Sequence, residues 1–323
     1  MTTTRDSRLG ANESHPRNPK ADKIKPPFTF LTDFDGVWTN PWRELQAVHK
    51  TVRSELARMV GHSMEEMEPT YQGFRSAVLA QPEQHGWHMD GRFSSYVDED
   101  YFAVPTAIGQ HIDQARCDTS SSFRDLVLQE YGSVLEFLDH CYHSTCDRFR
   151  REVDHDLTEG AERVLHWLLA NDVNVVFATN APGSKVVDWF SHHGFGVADG
   201  RDTEPGSSQL RVYGRSGKQF LGEEHSTMSF SGRTVHTNRP QYREILERES
   251  PDLVVGDVLS LDLSQPLAMR VDGNPAAPKG IGIMDLPHTP QWVKDSVSVD
   301  PGHVDFLVPH VTALPRLVNC LRE

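Results

Sequence analysis

The stretch that decides the fold is Asp33-Phe34-Asp35-Gly36-Val37, which follows the apolar run Phe28-Thr29-Phe30-Leu31. An apolar run that gives way to a glycine predicts a strand and the turn that ends it. Because side chains alternate along a strand, Asp33 and Asp35 project into the same space beyond its end. Two carboxylates this close repel each other unless a cation lies between them or one holds a proton. The pattern favours a divalent-metal site or an acid paired with a nucleophile, and a simple Asp-Gly turn is the alternative.

Three later segments also place polar residues at the end of a predicted strand or at the start of a predicted helix. Thr179-Asn180 follows the strand 173–178, and Gly256-Asp257 and Asp262 follow the strand 252–255. Arg239-Pro240 precedes the helix 241–249. A small hydroxyl residue followed by a glycine opens a loop that can bind phosphate. A carboxylate just past a strand end is suited to ligating a metal. Pro240 fits a first helical turn, and Arg239 stands at the positive helix end, where anions bind.

In this order, these segments resemble the motifs of the haloacid dehalogenase-like superfamily, in its phosphatase branch. The first motif matches residues 33–37, the second Thr179-Asn180, and the fourth residues 256–262. The third motif departs from the family, which usually has a lysine where this chain has Arg239. We favour Arg239 over the nearest lysine, Lys218, because Arg239 precedes a proline and a predicted helix, whereas Lys218 lies in a predicted hairpin turn.

The resemblance implies a phosphoric monoester hydrolase that works through an aspartyl-phosphate. Asp33 would be the nucleophile, and Asp35 would act as general acid and then as general base. The phosphate oxygens would be bound by side chains of the second and third motifs: Thr179, Asn180, and Arg239 or Lys218. Dehalogenases of the superfamily lack the second carboxylate, so the presence of Asp35 favours a phosphatase.

Magnesium is the cofactor that the resemblance implies. Its ligands would be the Asp33 carboxylate, the Asp35 backbone carbonyl and Asp257, with Asp262 orienting them or binding through water. Two other functions stay open. A mutase or another phosphotransferase would share every core motif, and a catalytically inactive binding protein on the same fold would explain the arginine in the third motif.

Hydrophobic periodicity divides the chain into three parts. Residues 1–26 are polar and predict a disordered tail. Residues 27–43 and 152–323 alternate predicted strands and helices, which predicts an α/β, Rossmann-like, three-layer core with a parallel sheet. Apolar residues recur at helical spacing in residues 44–151, which predicts a mainly α-helical cap with a loop-like middle at 81–109. The resemblance places such an insert over the active site, where it would exclude water.

Composition narrows the classes of partner. The formal net charge of −14 over 323 residues argues against nucleic acid and anionic membranes as partners. A small phosphorylated substrate is the partner that the resemblance implies. No apolar run approaches the roughly 20 residues of a membrane helix. The four cysteines form no disulfide framework, so the cytoplasm is the expected location. The Cys and His residues at 140–146 match no common zinc-site spacing and are predicted to pack on a helix.

Overall fold

The computed structural model describes residues 27–152 and 155–323, so the predicted disordered tail lies outside the described residues. The strands within these ranges are β1 Phe28–Thr32, β2 Gly86–Met89, β3 Arg92–Tyr96, β4 Val173–Ala178, β5 Ala198–Asp199, β6 Leu210–Tyr213, β7 Thr227–Phe230, β8 Arg233–His236, β9 Leu253–Gly256, β10 Gly280–Met284 and β11 Phe306–Val308. Seven of them form one sheet in the order β11-β10-β9-β1-β4-β6-β5, and every neighbouring pair is parallel.

Helices cover both faces of this sheet. The α-helices of the described residues are α1 Trp42–Val60, α2 Met64–Leu79, α3 Ala103–Asp113, α4 Asp118–Tyr131, α5 Val134–Glu152, α6 Ala161–Ala170, α7 Gly183–His192, α8 Pro240–Glu249, α9 Ser264–Val271, α10 Gln291–Lys294 and α11 Leu314–Arg322. Helices α6, α7 and α11 share one hydrophobic cluster with the sheet, and α8, α9 and α10 share a second. The predicted three-layer, Rossmann-like α/β core is therefore confirmed.

The central strand shows why both faces are covered. Phe30 of β1 belongs to one hydrophobic cluster, and the next residue, Leu31, belongs to the other. Phe177 and Ala178 of β4 divide between the two clusters in the same way. A strand that is apolar on both faces reads as a continuous apolar run and needs a layer of helices on each side.

The strand order creates a crevice at the carboxyl edge of the sheet. From β1 the chain proceeds to β4 and β6 on one side, and it later returns to β9, β10 and β11 on the other. Neighbouring strands whose connections leave in opposite directions, here β1 and β9, open a crevice beyond their carboxyl ends, where ligands bind in open α/β sheets. Asp33 follows β1 and donates its backbone N–H to Val255 of β9 over 3.0 Å.

The segment between β1 and α6 consists mostly of helices. Helices α1 to α5 pack against one another around a hydrophobic cluster of their own, which contains Val52, Phe74, Ile108 and Phe137. Cys141 lies on α5 in this cluster. Helix α1 begins at Trp42 and α5 ends at Glu152, whereas the cap boundaries at 44 and 151 stay predictions. Within the described residues, no helix is both long enough and apolar enough to cross a membrane.

The predicted loop at 81–109 is wrong, because this region contains the hairpin β2–β3 and helix α3. Asp90 and Gly91 alone connect the two strands, with φ of 51° and 75°. Positive φ at both central residues is typical of the tight turns that connect hairpins, and Asp-Gly is among their preferred sequences. Asp90-Gly91 was therefore the local signal for a hairpin. The glycine and aromatic residues around it led to the prediction of a loop instead.

A buried ion pair attaches α8 to β6. Arg211 donates to Glu249 over 2.5 Å, and neither side chain is exposed to solvent. Tyr213 donates its hydroxyl proton to the same carboxylate over 2.6 Å. The pair fixes the last residue of α8 against the strand that leads to the Lys218 loop.

We expect Glu249→Ala to lower the free energy of unfolding by about 3–5 kcal/mol, because it leaves the buried Arg211 guanidinium without its counter-charge. Glu247→Ala is the matched control on the same helix, since its ion pair with Arg243 is about 43% exposed on each side, and it should cost less than about 1 kcal/mol. Urea unfolding of both variants measures the difference, and equal losses would contradict this account.

Candidate active site

Three carboxylates meet at the crevice between β1 and β9. Asp33 follows β1, Asp257 follows β9, and Asp262 lies on the π-helical turn Leu259–Leu263, with one carboxylate oxygen of each within 4.8 Å of the others. Gly36 makes this proximity possible, because its φ is +79° and a Cβ there would lie 2.1 Å from an oxygen of Asp257. The first motif therefore requires a glycine on both conformational and steric grounds.

Lys218 supplies the positive charge of this cluster. Its ammonium donates to Asp33 over 2.7 Å and to Asp262 over 2.6 Å, and the residue is only 2% exposed. Burial opposes the charge on Lys218, but Asp262 and Asp33 outweigh it and raise the pKa of Lys218 above its usual range. One cation thus bridges two of the three carboxylates.

The remaining acceptor capacity fits a divalent cation. Both oxygens of Asp262 are engaged, one by Lys218 and the other by the backbone N–H groups of Asp257 and Val258. Asp257 accepts no side-chain hydrogen bond from any described residue, and Asp33 keeps its second oxygen free. Asp33 and Asp257 are therefore available as direct ligands, whereas Asp262 is arranged to orient them.

The raised pKa values of Asp33 and Asp257 agree with a site for a divalent cation. Burial raises the pKa of Asp33 to about 7, although Lys218 lowers it. Burial and the charges of Asp262 and Asp33 raise the pKa of Asp257 well above its usual range. Oxygen ligands suit magnesium, and a bound divalent cation would offset the desolvation and repulsion that act on these carboxylates.

The sequence favoured Arg239 over Lys218, but in this geometry it is Lys218 that contacts Asp33. Arg239 does precede the first residue of α8, as predicted, but among the described residues its fully buried guanidinium has other partners than Asp33. It donates to the backbone carbonyls of Lys218, Ser94 and His236 and to the Ser264 hydroxyl. Burial lowers the pKa of Arg239 to about 10, so it is still a cation at neutral pH. Arg239 holds the loop that presents Lys218.

The second motif also supports that loop. The Asn180 side-chain oxygen accepts a hydrogen bond from the backbone N–H of Lys218 over 3.0 Å. The carbonyl of Thr179 accepts one from the N–H of Ser216 over 2.9 Å. The hydroxyl oxygen of Thr179 accepts from Ala181 over 3.1 Å, which leaves its proton available for a ligand. The strand ends of β1, β4 and β9 thus bring the predicted residues of the first, second and fourth motifs to one edge.

Asp35 belongs to a second ion cluster that the sequence did not reveal. Lys185 donates to both of its carboxylate oxygens over 3.0 Å and to Glu44 of α1 over 2.7 Å, and Thr39 donates to Asp35 over 3.0 Å. The carboxylate of Asp35 is therefore not part of the acidic cluster around Asp33. A lysine in the first turn of α7 opposes the helix dipole, and this mismatch is the signal that could have indicated a buried partner.

The hairpin of the insert brings another acid close to the site. Asp100 accepts hydrogen bonds from the Trp87 indole over 2.8 Å and from the backbone N–H of Phe102 over 3.0 Å. Burial raises its pKa to about 6, with a smaller contribution from the charge of Asp262. Its neighbour Glu99 accepts from the N–H of Ser260, which joins the insert to the turn that carries Asp262. Only the fold brings these residues together.

Known proteins resemble this chain in structure only: no family model and no curated protein matches it. The protein YfnB of Bacillus subtilis, described as a HAD-hydrolase bound to magnesium, is 12% identical over 91% of this chain and 99% of its own, with a TM-score of 0.42. A HAD phosphatase from Thermococcus onnurineus is 13% identical over 90% of this chain and 97% of its own, with a TM-score of 0.43.

We expect magnesium to raise the melting temperature of the protein, because a cation bound by the folded state stabilises it by about 2.7 kcal/mol at 100 times Kd. Asp257→Ala should remove most of this increase. Asp300→Ala, which changes an acid with a 62% exposed side chain, is the control and should keep it. Thermal unfolding with and without magnesium measures the effect, and an unchanged increase in Asp257→Ala would exclude Asp257 as a ligand.

Proposed function

We propose that this protein is a magnesium-dependent phosphatase that hydrolyses a small phosphorylated metabolite through an aspartyl-phosphate on Asp33. The observation that carries the proposal is the contact between the Asp33 carboxylate and the Lys218 ammonium, inside a cluster with Asp257 and Asp262. This arrangement combines a nucleophile, a cation for the phosphoryl oxygens and oxygen ligands for a metal at one strand end.

In the first step, an oxygen of Asp33 attacks phosphorus in line, and the bond from phosphorus to the leaving oxygen breaks. Asp35 donates a proton to that oxygen, so the alcohol leaves neutral. In the second step, water attacks phosphorus, Asp35 takes its proton, and the bond to Asp33 breaks with release of phosphate. In this structure Lys185 and Thr39 donate hydrogen bonds to Asp35, and these contacts fix the direction of its carboxylate. Lys185 is therefore a positioning residue for Asp35.

The phosphate oxygens would contact three groups. Lys218 carries the charge, the Thr179 hydroxyl has a free proton, and the Asn180 amide nitrogen makes no hydrogen bond to any described residue. Because the Asn180 oxygen is held by the N–H of Lys218, the amide nitrogen has a fixed direction. Donors that are already oriented stabilise the charge that shifts to these oxygens during transfer.

Magnesium would be held by Asp33, Asp257 and the backbone carbonyl of Asp35, with Asp262 fixing their orientation. When bound, it supplies positive charge that offsets the repulsion between the Asp33 carboxylate and the incoming phosphate. The residues of the chain then orient the phosphate, and the helical insert limits the access of water.

The test is release of phosphate from an aryl phosphate and from a panel of phosphorylated metabolites, with magnesium and after chelation. We expect turnover by the wild type in magnesium and none by Asp33→Asn, because an amide cannot form the acyl phosphate. Asp199→Asn, on β5, is the control and should keep turnover. Transfer to a second hydroxyl in place of water would indicate a phosphotransferase or mutase. No turnover of any substrate would favour a binding protein.

We expect Lys218→Met to impair turnover and Arg239→Met to impair stability. Lys218→Met should lower kcat/KM by about 100- to 1,000-fold, because it removes a donor to the transferring group. Arg239→Met should mainly lower the free energy of unfolding, by about 3 kcal/mol, because it leaves buried carbonyl groups without donors. Kinetics together with urea unfolding separate the two effects. Near-normal turnover by Lys218→Met would contradict the assignment.

A further inference from the structure

Several positively charged side chains line a groove in the helical insert. It lies between α1 and α2, has a volume of about 490 Å³, and is lined by Trp42, His49, Lys50, Arg53, Tyr71 and Arg75 among others. Trp42, His49 and Arg53 are spaced by seven and four residues, so they lie on one face of α1. From Trp42 to Lys50 the groove extends roughly 12 Å along that helix.

The cations of the groove are not all neutralised. Arg53 forms an ion pair with Glu68, the one acid that lines the groove. Lys50 and Arg75 form no hydrogen bond or ion pair with any described residue. His49 is held by the Tyr71 hydroxyl over 2.6 Å, and burial, together with Arg75 and Arg53, lowers its pKa to about 4, so it adds no charge at neutral pH. The groove therefore carries a local excess of two positive charges on a protein of net charge −14.

One end of the groove, at Trp42, is connected to the region of Asp35 and Asp100 by neighbours in sequence and by a ring contact. The Trp42 ring packs against Tyr101 with ring centroids 5.5 Å apart, and Tyr101 directly follows Asp100. Thr39 and Glu44, on either side of Trp42 in sequence, contact Asp35 and Lys185 respectively. Burial raises the pKa of Tyr101, and the charge of Arg75, which lines the groove, partly offsets this rise.

We infer that this groove binds a second anionic group of the substrate, so that the substrate class is a phosphate monoester carrying a carboxylate or a further phosphate. The inference rests on the proposed phosphatase function. A guanidinium without a protein partner can bind either anion through two parallel hydrogen bonds. Arg75 is the residue that should distinguish such substrates from neutral ones.

Two matched substrate pairs test the inference, each differing only in the second acidic group. One pair is 3-phosphoglycerate and glycerol 3-phosphate, and the other is fructose 1,6-bisphosphate and fructose 6-phosphate. We expect the acidic member of at least one pair to have a kcat/KM at least tenfold higher. Arg75→Met should reduce that ratio to near one. Arg124→Met, on α4 and outside the groove, is the control and should preserve it.

The outcomes separate the groove from the phosphatase activity. Turnover without preference in either pair, or a preference that survives Arg75→Met, would overturn the groove assignment and leave the phosphatase intact. If none of the four esters is turned over, the phosphatase is judged by the aryl phosphate and the wider panel, and the groove is tested by calorimetric binding to Asp33→Asn. Tighter binding of the acidic members, lost when Arg75→Met is added, supports the groove, and equal binding overturns it.

Discussion

The rest of the site depends on the electrostatic balance between the Lys218 ammonium and the carboxylates at the ends of β1 and β9. Three acids within 4.8 Å repel one another strongly in a buried crevice, and Lys218 bridges two of them. Two hydrogen bonds fix the position of Lys218. Asn180 accepts one from the Lys218 backbone N–H, and Arg239 donates one to the Lys218 carbonyl. Asn180 and Arg239 thus act partly by holding the cation that contacts Asp33 and Asp262.

Arg239 extends this balance to the helical insert. Its guanidinium contacts the Lys218 loop, the β3 residue Ser94 and the end of β8 at His236, so three separate segments share one buried cation. Removing a buried cation whose donors are all engaged costs more than its pairwise contacts suggest, because each acceptor loses its partner without regaining water. The β2–β3 hairpin is therefore attached to the core by polar contacts of Arg239, which also contacts the backbone of Lys218.

The sequence predicted the parts of the fold that follow from local patterns. The apolar runs at β1, β4 and β9 and the proline that begins α8 lie where they were expected, because burial on two faces and helix-start chemistry act within a few residues. The cation that contacts Asp33 could not be found in this way. Lys218 contacts Asp33 across 185 positions, and the direction of the Arg239 side chain depends on a hairpin 145 positions away. Local context selected the correct helix start, but it did not indicate that Lys218 contacts Asp33.

Charge balance also explains why the sequence motifs do not indicate Lys185, although its ammonium forms an ion pair with Asp35. A lysine in the first turn of α7 is unfavourable on its own, and it becomes favourable only when Asp35 and Glu44 arrive from β1 and α1. Since Glu44 belongs to the helix that also lines the cationic groove, the same helix contacts both the residue that positions Asp35 and the groove in which we place the second anionic group. A displacement of α1 would therefore change the surroundings of Asp35 through the contact of 2.7 Å between Glu44 and Lys185.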